Sequence, residues 1–265
     1  MDYQDYLKVP QLLTLQRPQS NPAHHDEMLF IVIHQAFELW FKLILHEMET
    51  ARENMQKNLV GEAHHSMRRI VEVMRLFVPQ IHLLETMRPI DFLAFRDHLK
   101  PASGFQSVQF REIEFLSGLK DPAYLRFFEA RQGSKAQLEK RLAEPDLGLA
   151  FCELARRQGL AVPPKLDAQK IRTDEDTWRA VARGLLPLFE DPNGRLVLHQ
   201  LAEKLLEFDE AFALWRQHHV SVVERIIGAK VGTGGSSGVS YLRTTTTKRC
   251  FPYLWDVRTQ LELSR

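Results

Sequence analysis

This 265-residue sequence has little cysteine, no excess of charge of either sign and no uninterrupted apolar run of membrane-spanning length. Its two cysteines, Cys152 and Cys250, lie far apart and belong to no Cys/His cluster, which argues against a disulfide framework or a zinc site. Lys plus Arg number 35 against 34 Asp plus Glu, so no positive field is available to bind a nucleic acid or an anionic membrane surface. We therefore expect neither partner.

The N-terminal sequence also lacks the features of a secretory signal. Asp2 and Asp5 stand where such a signal needs a basic start before its apolar run. The longest apolar stretch, around residues 28–45, is interrupted by Glu38 and Lys42 before it reaches the roughly 20 residues that a bilayer span needs. These features predict a cytoplasmic protein in which this stretch is a central helix, buried on nearly every face.

Helical periodicity runs through almost the whole sequence, which predicts an all-α protein: a helical bundle with long core helices, forming a single domain over residues 1–265. A middle region of about residues 121–192 is punctuated by prolines and is expected to be a covering subdomain of short helices. The predicted core helices are the following: from the Asn21-Pro22 cap signal to about Asn58, from Gly61 to about Leu84, between Pro89 and Pro101, from Gln106 to Leu116 and from about Gly194 to Ile227.

The first 20 residues form an apolar N-terminal arm. They contain Tyr3, Tyr6 and several leucines but are too few to build a core of their own. We expect this arm to dock on another surface.

Two histidines stand out because they interrupt apolar faces of long helices. His219 occupies a position in a stripe of residues spaced alternately by four and three, one helical turn after Trp215, and His34 follows Phe30 by one turn. Each is either a core imidazole bonded to a neighbour or a functional group that faces a cavity. An imidazole presented to an apolar cavity suits axial ligation of haem iron.

Arg96 lies on the short helix between Pro89 and Pro101, four residues after Phe92. It extends to solvent, pairs with Asp91 or Asp97, or points into a cavity. In the last case its planar guanidinium suits bidentate binding of a substrate carboxylate.

A glycine-rich loop, residues 228–238, follows the helix that carries His219. It is not a phosphate-binding loop, because Lys230 precedes the glycines and no strand leads into it. The loop is either a flexible linker or a lid that offers backbone N–H groups and the hydroxyls of Thr233, Ser236 and Ser237 to a ligand. Its position before Cys250-Phe-Pro-Tyr-Leu-Trp, a segment that must pack, favours the lid.

Beyond these patterns, four ordered stretches resemble the tryptophan 2,3-dioxygenase family, whose members are haem enzymes that open the indole ring. They are Tyr3-Gln-Asp-Tyr-Leu7, residues 26–43 with Phe-Ile-Val-Ile-His-Gln, residues 89–118 with Phe-Arg-Asp-His-Leu-Lys-Pro-Ala-Ser-Gly, and residues 215–259 with Gly-Thr-Gly-Gly-Ser-Ser-Gly-Val.

The resemblance implies a role for each matched residue. His219 becomes the axial ligand of haem iron, His34 the distal residue that meets the indole N–H, Arg96 the carboxylate clamp, and Thr233 the contact for the substrate ammonium. The remaining matched residues line the substrate pocket, with Tyr3 and Tyr6 contributed by a neighbouring subunit: Phe30, Phe92, Leu99, Ser103, Gly232, Tyr3 and Tyr6.

The resemblance also implies the activity and the assembly. Haem b in the Fe(II) state would support insertion of O2 across the indole C2–C3 bond of L-tryptophan to give N-formylkynurenine, the first step of the kynurenine pathway, within an intertwined homotetramer. The rival hypothesis is a non-catalytic helical bundle that binds partner helices, in which both histidines are core residues and the glycine-rich loop is a linker.

Overall fold

The computed structural model describes residues 1–234 and 237–262, and within these ranges the regular structure is helical and contains no strand, which confirms the predicted all-α class. Short 3-10 turns connect several of the α-helices. The α-helices are α1 Tyr3–Leu7, α2 Val9–Leu12, α3 His25–Gln56, α4 Val60–Arg75, α5 Phe77–His82, α6 Pro89–Arg96, α7 Val108–Leu116, α8 Gln132–Ala143, α9 Leu147–Arg157, α10 Lys170–Thr173, α11 Glu175–Glu190, α12 Leu196–Ile227, α13 Val239–Thr245 and α14 Pro252–Gln260.

The two longest helices, α3 and α12, contain 32 residues each and were both predicted from periodicity. The start of α3 differs from the prediction, because the helix begins at His25 and its N-cap is His24 instead of Asn21. Both helices pack against α4, and α3 also packs against α7 and α9. They form the centre of the bundle and hold the two candidate histidines.

The prediction of a single helix from Gly61 to about Leu84 is wrong. This segment is divided into α4, α5 and a 3-10 turn over Leu83–Thr86. Pro79 explains the break, because it has no N–H to donate to the carbonyl of Arg75 and its ring disfavours a continuous helix. By contrast Pro187, expected to end a helix, lies inside α11.

The prediction that α3 is buried on nearly every face is also wrong for a single chain. One face carries buried residues such as Phe37, Phe41 and Met48, but Met28, Val32 and Leu39 are exposed. By length and composition alone α3 is apolar enough to cross a membrane, a property that the core helix of a soluble protein shares. Its packing against three other helices fits a core helix.

Most of the arm is exposed, and its hydrogen bonds to the rest of the described chain come from its root, residues 15–20. Neither α1 nor α2 has a buried residue, and Tyr3 and Tyr6 are 73% and 71% exposed. The root is fixed by Glu27, which is fully buried and whose carboxylate accepts hydrogen bonds from the backbone N–H groups of Gln19 and Ser20 at 2.6 and 3.0 Å. The arm therefore projects from a fixed point on α3.

The C-terminal segment packs as expected. Buried Asp209 on α12 accepts hydrogen bonds from the backbone N–H groups of Cys250 and Phe251 and from the Trp255 indole N–H, at 2.9, 3.1 and 2.9 Å. These contacts hold the segment that follows the glycine-rich loop against α12.

Candidate active site

A cavity of about 330 Å³ opens between α3, α6, α7 and α12. Leu99 packs against the adjacent apolar core, while Tyr3 and Tyr6 lie on the exposed arm. The predicted site residues that line the cavity are Phe30, His34, Phe92, Arg96, Ser103, His219, Gly232 and Thr233. The structure thus brings together residues separated by as many as 203 positions in sequence, from Phe30 to Thr233.

His34 is held in one tautomer by its own helix. Its Nδ1 lies 2.7 Å from the main-chain carbonyl of Phe30, and a carbonyl oxygen only accepts hydrogen bonds. Nδ1 therefore carries the proton, and Nε2 is left with a lone pair. Much of the ring is accessible, yet surrounding protein desolvates it and lowers its pKa, opposed by the Phe30 carbonyl and by Glu38. His34 is thus a neutral hydrogen-bond acceptor.

His219 lines the same cavity from α12. Desolvation, reinforced by the nearby His34, lowers its pKa to about 4, so the imidazole is neutral at physiological pH. Neither ring nitrogen of His219 has a hydrogen-bond partner within residues 1–234 and 237–262, and the ring stacks instead on Trp215. A neutral, unpaired imidazole has the electronic form that a metal ligand requires.

Arg96 does not pair with either of the carboxylates considered from sequence. Asp91 binds Arg88 and Asp97 binds Lys100, so the acidic neighbours already have partners. Arg96 Nη2 donates to the carbonyl of Val231 in the glycine-rich loop, while its buried Nε has no hydrogen-bond partner in the described chain. The guanidinium therefore reaches the cavity without a carboxylate partner.

The glycine-rich loop packs over the segment that follows α6. Thr233 Oγ1 donates to the carbonyl of Ala102 at 2.7 Å. Gly234 approaches Ser103 so closely that a Cβ at this position would lie 2.4 Å from the Ser103 Cβ. This packing fits a lid better than a free linker. Gly235 and Ser236 lie outside the described residues.

One end of the cavity is polar, and its residues were not predicted from the sequence. Arg111 and Glu114 on α7 and Arg216 on α12 are all at least 94% buried and line the cavity. Arg216 Nη2 donates to Glu114 Oε1 at 3.0 Å, and Arg111 Nη1 lies 2.5 Å from Glu114 Oε2 without hydrogen-bond geometry. The only sequence signal was the i,i+3 spacing of Arg111 and Glu114, which is typical of exposed helical pairs.

The fold and the cavity define the class: an all-α protein in which two neutral histidines from different core helices face one largely apolar ligand cavity. The sequence profile described as Tryptophan 2,3-dioxygenase matches residues 1–172 and 167–261. The chain belongs to the tryptophan 2,3-dioxygenase family.

Individual relatives agree with this assignment. The chain is similar to proteins named Tryptophan 2,3-dioxygenase from Nocardioides sp., with 47% identity over 98% of this chain and 95% of the relative, and from Herpetosiphon aurantiacus, with 44% identity over 98% of both. The protein of that name from Caulobacter vibrioides is 43% identical, again over 98% of both chains. These relatives are enzymes by name, and the hypothesis of a non-catalytic bundle is not supported.

The cavity residues fit the haem on which the family depends. His219 offers a neutral imidazole from an apolar wall, as an axial ligand must. At the polar end, Arg111 Nε and Arg216 Nη1 are buried donors without hydrogen-bond partners within the described residues. Two arginines against one glutamate leave this end with a net positive charge. Such an end matches a cofactor that is apolar over most of its surface and carries carboxylates at one edge.

Proposed function

We propose that this chain catalyses the insertion of O2 across the indole C2–C3 bond of L-tryptophan, giving N-formylkynurenine, and so begins the kynurenine pathway of tryptophan catabolism. One observation carries the proposal beyond family membership: His34 and His219, from α3 and α12, face a single cavity in the neutral forms that the two roles require.

His219 would hold the haem as a ligand of its iron, and the donors of Arg111 and Arg216 would meet the haem carboxylates. When bound, haem b in its Fe(II) state supplies the binding and activation of O2. The protein supplies a dry cavity and a fixed orientation for the second reactant.

His34 would accept the hydrogen bond from the indole N–H of the substrate. The Phe30 carbonyl fixes the proton on Nδ1, so the lone pair of Nε2 is available to the substrate. We assign His34 an orienting role, since an acceptor in a fixed position restricts the indole to one pose.

Arg96 and Thr233 would bind the amino-acid end of tryptophan. The guanidinium has no acidic partner among the described residues and suits a carboxylate, while Thr233 and Gly232 line the same cavity. Phe30 and Phe92, whose ring centroids are 5.7 Å apart, would provide an apolar wall for the indole, backed by Leu99 in the adjacent core, and Ser103 would line the same pocket with its hydroxyl.

We further propose that the enzyme is a cytoplasmic homotetramer in which the arm of one subunit completes the pocket of another. The exposure of Tyr3 and Tyr6 supports this proposal, and so do the exposed apolar side chains of Met28, Val32 and Leu39 on α3, which a second copy would cover.

The test is to purify the protein with its cofactor and to compare His219→Ala with His199→Ala, a histidine on the same helix that does not line the cavity. We expect a Soret band and tryptophan-dependent formation of N-formylkynurenine in the wild type and the control. His219→Ala should lose haem but keep its circular dichroism. Normal haem occupancy in His219→Ala would contradict the axial assignment, and a colourless wild type that takes up no hemin would contradict the function.

A further inference from the structure

The His219 ring belongs to a stack of three rings on one face of α12. Phe212 and Trp215 have ring centroids 6.0 Å apart with an interplanar angle of 17°, and Trp215 and His219 are 5.4 Å apart at 10°. The spacing of three and then four residues brings these side chains onto one helical face. The imidazole is therefore nearly parallel to the indole that precedes it by one turn.

The two cavity histidines are held in different ways. His34 is fixed by a hydrogen bond from Nδ1 to the carbonyl four residues earlier, at 2.7 Å. His219 has an aromatic residue at the same offset but makes no such bond within the described chain. A metal-bound histidine ordinarily donates its second ring N–H to an acceptor that fixes the ring plane. For His219 the stacked indole takes the place of that acceptor.

The Trp215 indole is itself held in place by packing, as it must be if it is to orient the His219 ring. It is only 8% exposed. Besides Phe212, three phenyl rings from other helices surround it: Phe110 at 5.2 Å, Phe77 at 6.1 Å and Phe37 at 6.3 Å between centroids. In a close-packed interior an indole bounded on several sides keeps one rotamer.

We infer that Trp215 is a positioning residue whose indole face sets the ring plane of His219 and so stabilises axial ligation of the haem. The inference rests on the proposed role of His219. Trp215 contacts His219, the proposed iron ligand, and has no proposed contact with tryptophan. Its effect is therefore expected on retention of haem and on the iron–histidine bond, before any effect on the KM for tryptophan.

The experiment compares Trp215→Leu, which removes the aromatic face, with Trp215→Phe, which keeps a face but loses the indole N–H. Phe208→Leu is the matched control, because Phe208 is fully buried on the same helix and makes no ring contact with His219. The holoenzymes are examined by the rate of haem transfer to excess apomyoglobin and by the iron–histidine stretching band of the ferrous form.

We expect Trp215→Leu to lose haem about tenfold faster than the wild type and to show a shifted or broadened iron–histidine band. Trp215→Phe should stay within about threefold of the wild type, as should Phe208→Leu. Equal loss in the Leu and Phe variants would overturn the inference, because the N–H and not the ring face would then be responsible. Equal loss in Phe208→Leu would overturn it too, since general loosening of α12 would then suffice.

Two further measurements keep the test decisive. If Trp215→Leu does not fold, Trp215→Met is used instead, because the flexible methionine side chain adapts to an irregular space without offering an aromatic face. Wild-type haem retention in that variant would overturn the inference. His219→Ala is prepared in parallel. Retention of haem by His219→Ala would refute the axial assignment itself, whereas its loss together with wild-type behaviour of both Trp215 variants would refute only the role of Trp215.

Discussion

The Nδ1 atom of His34 lies 2.7 Å from the main-chain carbonyl of Phe30, one helical turn earlier on the same helix. Because a carbonyl cannot donate, this contact assigns the proton to Nδ1 and leaves Nε2 as an acceptor. The aromatic residue four positions before His34 therefore does two things: its backbone fixes the tautomer and its side chain lines the cavity.

This tautomer predicts discrimination against substrates that lack an indole N–H. The wild type should prefer tryptophan to 1-methyltryptophan more strongly than His34→Ser does, because only the wild type gains a hydrogen bond from the indole nitrogen. The measurement is the ratio of kcat/KM for the two compounds in each enzyme. Equal ratios would show that His34 contributes something other than this hydrogen bond.

The lowered pKa of His34 predicts where the enzyme loses activity in acid. Protonation removes the acceptor, and a pKa below the ordinary 6.5 keeps the ring neutral to lower pH. The acid limb of kcat/KM for tryptophan should therefore lie below pH 6.5 and should disappear in His34→Ser. A limb centred at or above pH 6.5 that depends on His34 would contradict this assignment.

Arg96→Lys is expected to be a poor replacement. A lysine ammonium cannot form two parallel bonds to a carboxylate, and losing a charge-assisted hydrogen bond costs about 1.5–3 kcal/mol, or about tenfold to over a hundredfold in kcat/KM. Arg88→Lys is the control, since Arg88 pairs with Asp91 at the exposed start of α6. Equal kcat/KM values for Arg96→Lys and the control would mean that Arg96 does not bind substrate.

Asp209→Ala should destabilise the fold without touching the cavity. Asp209 is 1% exposed, and its loss leaves three buried or partly buried N–H donors without an acceptor. We expect the free energy of unfolding to fall by about 2–5 kcal/mol. Glu210→Ala, an exposed neighbour, should change it by less than about 0.5 kcal/mol. Urea titration of both variants measures the difference.

The arm predicts that active sites are shared between subunits. Deletion of residues 1–9 should lower activity and tryptophan affinity with haem still bound, because Tyr3 and Tyr6 are lost from the neighbouring pocket. Mixed oligomers of this deletion variant and Arg96→Ala should regain activity, since an Arg96→Ala subunit can lend its arm to an intact pocket. Mixed oligomers without recovery, or a fully active truncated monomer, would refute the shared site.

Local sequence patterns were enough to predict most of the helices and the chemistry that they carry. Apolar spacing at three and four residues is a local pattern, so α12 and most of α3 were predicted within a few residues, and with them the placement of His34 and His219 on apolar faces. One departure arose where a single residue changes the backbone locally, at Pro79 between α4 and α5.

Packing between helices, which local patterns do not specify, sets which of these residues meet and in which protonation state. The acidic neighbours of Arg96 could have neutralised it, and the contacts of Asp91 with Arg88 and of Asp97 with Lys100 depend on side-chain conformations that spacing does not specify. The polar end around Arg111 and Arg216 joins helices about 100 residues apart in sequence. Periodicity is set by neighbours along one helix, whereas a cavity and the desolvation that lowers the pKa of His219 arise from packing between helices.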